Sequence, residues 1–192
     1  MRHPSHHIRL SKRSLQDIHW WLTFLQDWNG RSLFYDEQWL TNDCLHLYTD
    51  ACDTSFGGLF GNMWFCATFD AVGIPRRRSI TFKELFATTV AVTIWSTSLQ
   101  SCKIIFHCDN QAVVHILDSG ASQCRHIMSL MRYLFYICCK FNIVITAVHI
   151  PGLENSPSDA LSRLQVARFR ELVPQAVASP TPVTPLNLES LK

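Results

Sequence analysis

The sequence predicts an α/β domain built on a five-stranded mixed sheet, three antiparallel strands followed by two parallel ones, flanked by helices. Three observations lead there. Short β-type segments joined by glycine-containing turns succeed one another between residues 44 and 69. Two more β-type segments, 103–108 and 143–150, each follow a stretch of helical periodicity. A run of strands that passes into strands alternating with helices is a meander continued by crossover units.

From Ser11 to Trp28, Leu15, Ile18, Leu22 and Leu25 recur at spacings of three and four, an amphipathic helix ended by Asn29-Gly30. Trp20, Trp21 and Trp28 either pack on a neighbouring domain or stack on bases, and packing is the commoner use of aromatics so spaced. Residues 1–43 read as a connector. In the first strand Leu45, Leu47 and Thr49 alternate with His46, Tyr48 and Asp50; Gly57-Gly58 begins the second, and Met63–Phe69 follows the Gly61-Asn62 turn as the third. A helix is predicted from Phe82 to about Leu99, with Thr81-x-x-Glu84 as capping box and Phe82, Leu85, Phe86 and Val90 on one stripe. Lys103–Cys108 is the fourth strand, Asp109 starts a short helix that Gly120 stops, and a longer helix covers Gln123–Phe141. Ile143–Ile150, apolar and β-branched, reads as a buried fifth strand. Ser156-Pro157 opens a last helix that runs to about Glu171. The domain is thus placed at 44–172, and the proline-rich 173–192 is predicted to be a disordered tail.

With 192 residues, 47% of them hydrophobic, the chain can bury one sizeable core. A formal charge of +2 argues only weakly for a polyanionic partner. The eight cysteines are dispersed and form no C-x-x-C pair, which favours a reduced, intracellular protein over a disulfide framework or a zinc site. MRHPSHHIRL lacks a signal peptide's apolar core and no membrane-length apolar run occurs, so a soluble chain of cytoplasm or nucleus is expected.

The predicted topology gathers acids. A crossover between strands three and four lets strand four lie parallel to strand one, and clefts open at the carboxyl ends of strands flanking such a switch point. Asp50 ends strand one and Asp109 ends strand four; Glu84 and Asp159 sit in the first turns of the helices that follow the third and fifth strands. Singly, Glu84 could close a capping box, Asp109 cap a helix and Asp159 favour a helix dipole. Together they would repel unless a cation neutralised them, and oxygen-only ligands suit Mg²⁺ or Mn²⁺. Two such ions activate water and stabilise the leaving oxygen in phosphodiester hydrolysis.

The motifs TDAC (49–52), TFKELFA (81–87), HCDNQAVV (107–114) and HIPGLENSPSDALSR (149–163) resemble, in that order, the ribonuclease H domain of retrotransposon polyproteins of the DIRS-like and gypsy-like groups. The resemblance covers roughly 46–165, and HHIRLSK…WWLTFLQDWNG resembles the connector that follows the reverse transcriptase domain in DIRS-like elements. It implies a ribonuclease H-like fold, cleavage of the RNA strand of an RNA–DNA hybrid with two Mg²⁺ or Mn²⁺ ions, and a reverse transcriptase domain of a parent polyprotein as partner. It also implies Asp50, Glu84, Asp109 and Asp159 as metal-binding acids and His149 as the family's mobile histidine, although a hydrogen-bonded strand-end histidine explains His149 equally well. Asn110 and Asn155 correspond to family asparagines that contact substrate or hold turns. The chain departs from the family in Phe56-Gly57-Gly58, where a tryptophan usually stands between glycines, and in Ser158, where alanine is common. No Y-x-D-D polymerase motif occurs.

A ribonuclease of this kind reads groove shape and 2′-hydroxyls, with phosphate contacts from basic residues. Arg76, Arg77 and Arg78 are the candidates, with Arg125 and Arg132 on a later helix; solvation is the plain alternative for each. A proofreading exonuclease would want D-x-E where the chain has Asp50-Ala51-Cys52, and an integrase-like enzyme a glutamate where it has Asp159. A catalytically silent module that binds nucleic acid or braces a polymerase is the alternative from another class.

Overall fold

The computed structural model describes residues 9–26 and 46–186. Helix α1 (Lys12–Gln26) precedes β1 (His46–Ala51), β2 (Ser55–Phe60) and β3 (Met63–Thr68). Then come α2 (Ile80–Ile94), β4 (Lys103–Cys108), α3 (Gln111–Ser119), α4 (Arg125–Phe141), β5 (Val144–His149), α5 (Ser156–Ser162) and α6 (Val166–Leu172). The strand order is β3-β2-β1-β4-β5, with β1–β2 and β2–β3 antiparallel and β1–β4 and β4–β5 parallel. This is the predicted mixed sheet.

Alternation decides what each face buries. Leu47, Thr49, Ile104, Phe106 and Cys108 turn to the side covered by α2 and α4, where Phe56, Phe65, Phe86 and Leu130 complete the core. Thr49 and Thr88 hydroxyls meet at 3.3 Å across the β1–α2 contact. Helix α5 covers β1 and β2 from the other side, and it comes so close that a Cβ on Gly57 would lie 2.5 Å from Leu161 Cβ. Phe56, in the segment that lacks the family's tryptophan, is fully buried against Phe65, Phe69 and Phe86.

Several local expectations are corrected. Helix α2 starts earlier than predicted: Ser79 is the N-cap, accepting from the Phe82 amide at 3.3 Å, so Glu84 does not serve a capping box at Thr81. The helix before Gly120 is capped by Asn110 rather than started by Asp109, with Oδ1 accepting from the Ala112 and Val113 amides. Strand β5 is an edge strand whose only buried residue is Ala147, not a buried central strand, because nothing pairs with its outer side among the described residues. The last helix is two helices, broken where Leu164 takes a φ of +57°. No glycine or proline marks that break. It lets Phe169 pack on Trp64, with ring centroids 5.2 Å apart.

In α1 the stripe Leu15, Ile18, Leu22, Leu25 is exposed, and the neighbouring face packs instead: Trp20 and Phe24 are buried beside Cys139, Phe135 and Tyr136 of α4. Arg132 of α4 pairs with Asp17 beside this contact. The Asn29-Gly30 stop and Trp28 lie outside the described residues. The tail predicted to be disordered is docked through residue 186. Val177 N donates to Asn62 O at 2.9 Å, Thr181 N to Trp64 O at 2.7 Å, and Trp64 Nε1 to Val177 O at 2.8 Å, while Val173 and Ala176 pack against Trp64 and Phe169. Val177 and Thr181, standing between the prolines, thus donate to the turn before β3 and to the outer side of β3 at Trp64.

Candidate active site

The parallel pairing of β1 with β4 sets Tyr48 opposite His107; two residues further in the same register Asp50 comes beside Asp109. Asp50 is buried, and its carboxyl is pushed above the ordinary range mainly by desolvation and also by Asp109 and Asp159, against a hydrogen bond from Ser162 and the charge of Arg163. Asp109 follows β4 and lines an open cavity of about 440 Å³ with Glu84, Asn110, Gln111, Ala112 and His149.

Glu84 reaches this cavity from the first turns of α2. It is 4% exposed, and its Oε2 has no hydrogen-bond partner among the described residues. Burial, then the charges of Asp50 and Asp109, raise its pKa to about 9, although the Ala51 amide favours the charged form. One oxygen each of Glu84 and Asp109 and the sulfur of Cys108 lie within 4.8 Å of one another, a cluster that could hold a metal ion. Cys108 is fully buried, its thiol pKa raised by desolvation and then by Glu84. A buried, unpartnered carboxylate oxygen facing a second carboxylate fits a divalent cation, which would offset the desolvation both acids incur.

Asp159 stands apart from that cluster. It is within electrostatic reach of Asp50 in the first turn of α5, yet its oxygens are taken by Arg163 Nε at 2.6 Å and an Arg168 guanidinium nitrogen at 3.5 Å. His149 ends β5 opposite Cys108, exposed at the cavity, with Nε2 3.2 Å from the Asp109 carbonyl oxygen. Asn155 is buried and donates Nδ2 to Thr49 O at 3.1 Å, bracing β1 just before Asp50.

The three consecutive arginines divide. Arg76 pairs with Asp70 at 2.5 Å, both exposed. Arg78 lies over the Phe82 ring at 5.1 Å. His126 has its pKa lowered first by desolvation and then by the charges of Arg78, Arg125 and Arg77, which lie within electrostatic reach of it. Arg132, engaged by Asp17, does not join them. Sequence reasoning missed Cys108, Gln111, Arg163 and Arg168. Cys108 had a signal, since Ile104, Phe106 and Cys108 share the face of β4 that α2 covers.

No protein-family model matches the chain, and no curated protein matches it. Among solved structures it is similar to RNase H1 from the halophilic archaeon Halobacterium salinarum NRC-1, at 15% identity and a TM-score of 0.49 over 64% of this chain and 96% of that one. It is similar also to the N-terminal RNase H domain of a Mycobacterium tuberculosis protein fused to maltose binding protein, at 10% identity and a TM-score of 0.47 over 67% and 99% of the two chains. A third is the foamy viral protease-reverse transcriptase in complex with an RNA/DNA hybrid, at 12% identity and a TM-score of 0.43, covering 84% of this chain and 29% of that one. In strand order and in the direction of each strand, the sheet is the five-stranded mixed sheet predicted from the sequence.

Proposed function

We propose that this chain is a metal-dependent endoribonuclease that cuts the RNA strand of RNA–DNA hybrids during retroelement reverse transcription. The observation that carries the reading is the buried Glu84 carboxyl, whose Oε2 has no hydrogen-bond partner among the described residues, lining one cavity with Asp109 at the carboxyl ends of adjacent parallel strands. Glu84 and Asp109 would hold the Mg²⁺ or Mn²⁺, with Asp50 beside them; of a two-ion set, Asp159 is the acid that must first leave its arginines. Bound there, the cations supply charge neutralisation and an activated water.

The remaining residues act on the substrate directly. Asn110 uses Oδ1 to cap α3, which leaves its amide nitrogen for a ribose hydroxyl or phosphate oxygen. His149 stands at the cavity where it can move a proton to the departing strand. Arg77 and Arg78, with Arg125 beside them, suit a backbone phosphate, whereas Arg76 is already engaged by Asp70. A reverse transcriptase domain of a parent polyprotein would deliver the hybrid.

The test is cleavage of a labelled hybrid in millimolar Mg²⁺ or Mn²⁺, with single-stranded RNA as control. The wild type is expected to cut the hybrid alone, and Asp109→Asn to leave it intact. One observation favours a second reading, a catalytically silent hybrid-binding module: Asp159 is neutralised by two guanidinium groups. Binding without cutting in either metal would establish that reading instead.

A further inference from the structure

Cys108 closes β4 on the side that faces α2, and this puts a buried thiol next to Glu84 and Asp109, two of the residues that line the acidic cavity. Its sulfur has only weak partners, the Asn110 amide at 3.4 Å and the Asn110 carbonyl oxygen at 3.8 Å. A second feature points to a ligand: Glu84, 4% exposed, brings a carboxylate oxygen to the same group and leaves its Oε2 without a hydrogen-bond partner among the described residues. The donor atoms of Glu84, Cys108 and Asp109 all lie within 4.8 Å of one another, and donors around a tetrahedral zinc-type ion are roughly 3.5 Å apart, so a closure of about an ångström joins them on one ion.

Two carboxylate oxygens alone suit Mg²⁺ or Mn²⁺. Sulfur changes the ranking, because thiolate prefers zinc and other soft ions while magnesium keeps to oxygen. We infer that Glu84, Cys108 and Asp109 form a site for a thiophilic divalent cation of the zinc and cadmium class, beside the cavity that the two acids line. On binding, metal–sulfur and metal–oxygen bonds form, and the thiol proton, together with the proton that Glu84 holds below about pH 9, passes to solvent. An ion so held occupies the oxygens that the proposed reaction needs for magnesium, so the inference deepens the nuclease reading for its consequence, inhibition, while the binding stands without it.

The full chain, stripped by chelator, is titrated with cadmium chloride and followed by the ultraviolet sulfur-to-cadmium charge-transfer band. Cys108→Ser, Cys108→Ala, Glu84→Gln and Asp109→Asn are titrated beside it, with circular dichroism to confirm folding. The two Cys108 variants are expected to bind one cadmium fewer than wild type. Glu84→Gln and Asp109→Asn are expected to bind that cadmium at least roughly 10–100-fold more weakly, the loss that even changes behind the ligands cause. Unchanged stoichiometry in the Cys108 variants, or unchanged affinity in both carboxylate variants, overturns the inference; the carboxylate variants decide alone if the buried position tolerates no change. Hybrid cleavage by wild type in magnesium is read separately. Cadmium binding through Cys108 without cleavage refutes the nuclease reading alone, and cleavage with Cys108-independent cadmium binding refutes this inference alone.

Discussion

The two sides of the acidic site hold their charge differently. On the sheet side, Glu84 and Asp109 share a cavity, and the buried Oε2 of Glu84 meets no hydrogen-bond donor among the described residues. On the α5 side, Asp159 lies between Arg163 and Arg168. An unpartnered buried oxygen has only a proton to give up for a cation, whereas a paired one must first give up a guanidinium. Both arginine side chains are at least half exposed, so each pair contributes little to stability and is readily exchanged. A nucleic-acid phosphate is an anion for which these arginines can trade Asp159. The difference therefore divides the proposed site into a part that is built before substrate arrives and a part that substrate completes.

The largest effects expected are on cleavage. Glu84→Gln and Asp109→Asn each remove a ligand from the built part, and losing several kcal/mol of transition-state charge stabilisation corresponds to a loss of about 10²–10³-fold or more. Asp159→Asn should cost less, about tenfold, in single-turnover cleavage at saturating magnesium. Equal losses at Asp109 and Asp159 would mean that the two sides work as one unit and that the arginine pairs have no bearing on catalysis.

Stability against pH gives the next effect. The Glu84 pKa stands near 9 in the folded chain against an ordinary 4.5, so between those values the folded state keeps a proton that the unfolded state releases. Stability from that proton is present below about pH 4.5 and is lost as pH rises toward 9. The metal-free Tm is expected to fall between about pH 5 and about pH 8, and Glu84→Gln to flatten the slope. Magnesium should raise Tm more at about pH 8 than at about pH 5, because at low pH it competes with the proton. Calorimetry that finds the same magnesium gain at both would remove Glu84 from the ligand set.

The sequence revealed the built side better than the exchangeable one. Strand alternation and the crossover rule brought Asp50, Glu84 and Asp109 to one end of the sheet, because those positions follow from periodicity and chain direction. Asp159 was legible as a first-turn acid, but Arg168 was not legible as its partner. The chain turns at Leu164, a left-handed leucine that no glycine or proline announces, and the packing of Phe169 on Trp64 accounts for it only in three dimensions. The same limit applies to the tail. Prolines at 174, 180, 182 and 185 signalled disorder, while the valine and threonine amides that bind Asn62 and Trp64 carry no local mark. In α1 two apolar faces competed, and the one that is buried carries Trp20 and Phe24, which meet Phe135, Tyr136 and Cys139 of α4, partners remote in sequence that no local pattern announces.

Gly57→Ala probes the two sides with the smallest change. Gly57 pairs with Asp50 across β1 and β2, and its missing Cβ is the space in which Leu161 of α5 sits, 2.5 Å from where that atom would be and 2.9 Å from the Leu161 carbonyl carbon. Backbone as well as side chain blocks the added methyl, so α5 must move away from the sheet, at a cost of about 1–3 kcal/mol. The movement carries Asp159 and Ser162 away from Asp50, and it leaves α2, β4 and Cys108 in place. Denaturant unfolding should therefore show the loss, and cleavage should fall, while cadmium binding at Glu84, Cys108 and Asp109 stays at the wild-type affinity. If the cadmium affinity falls in step with stability, α5 supports both sides and the division between them is wrong.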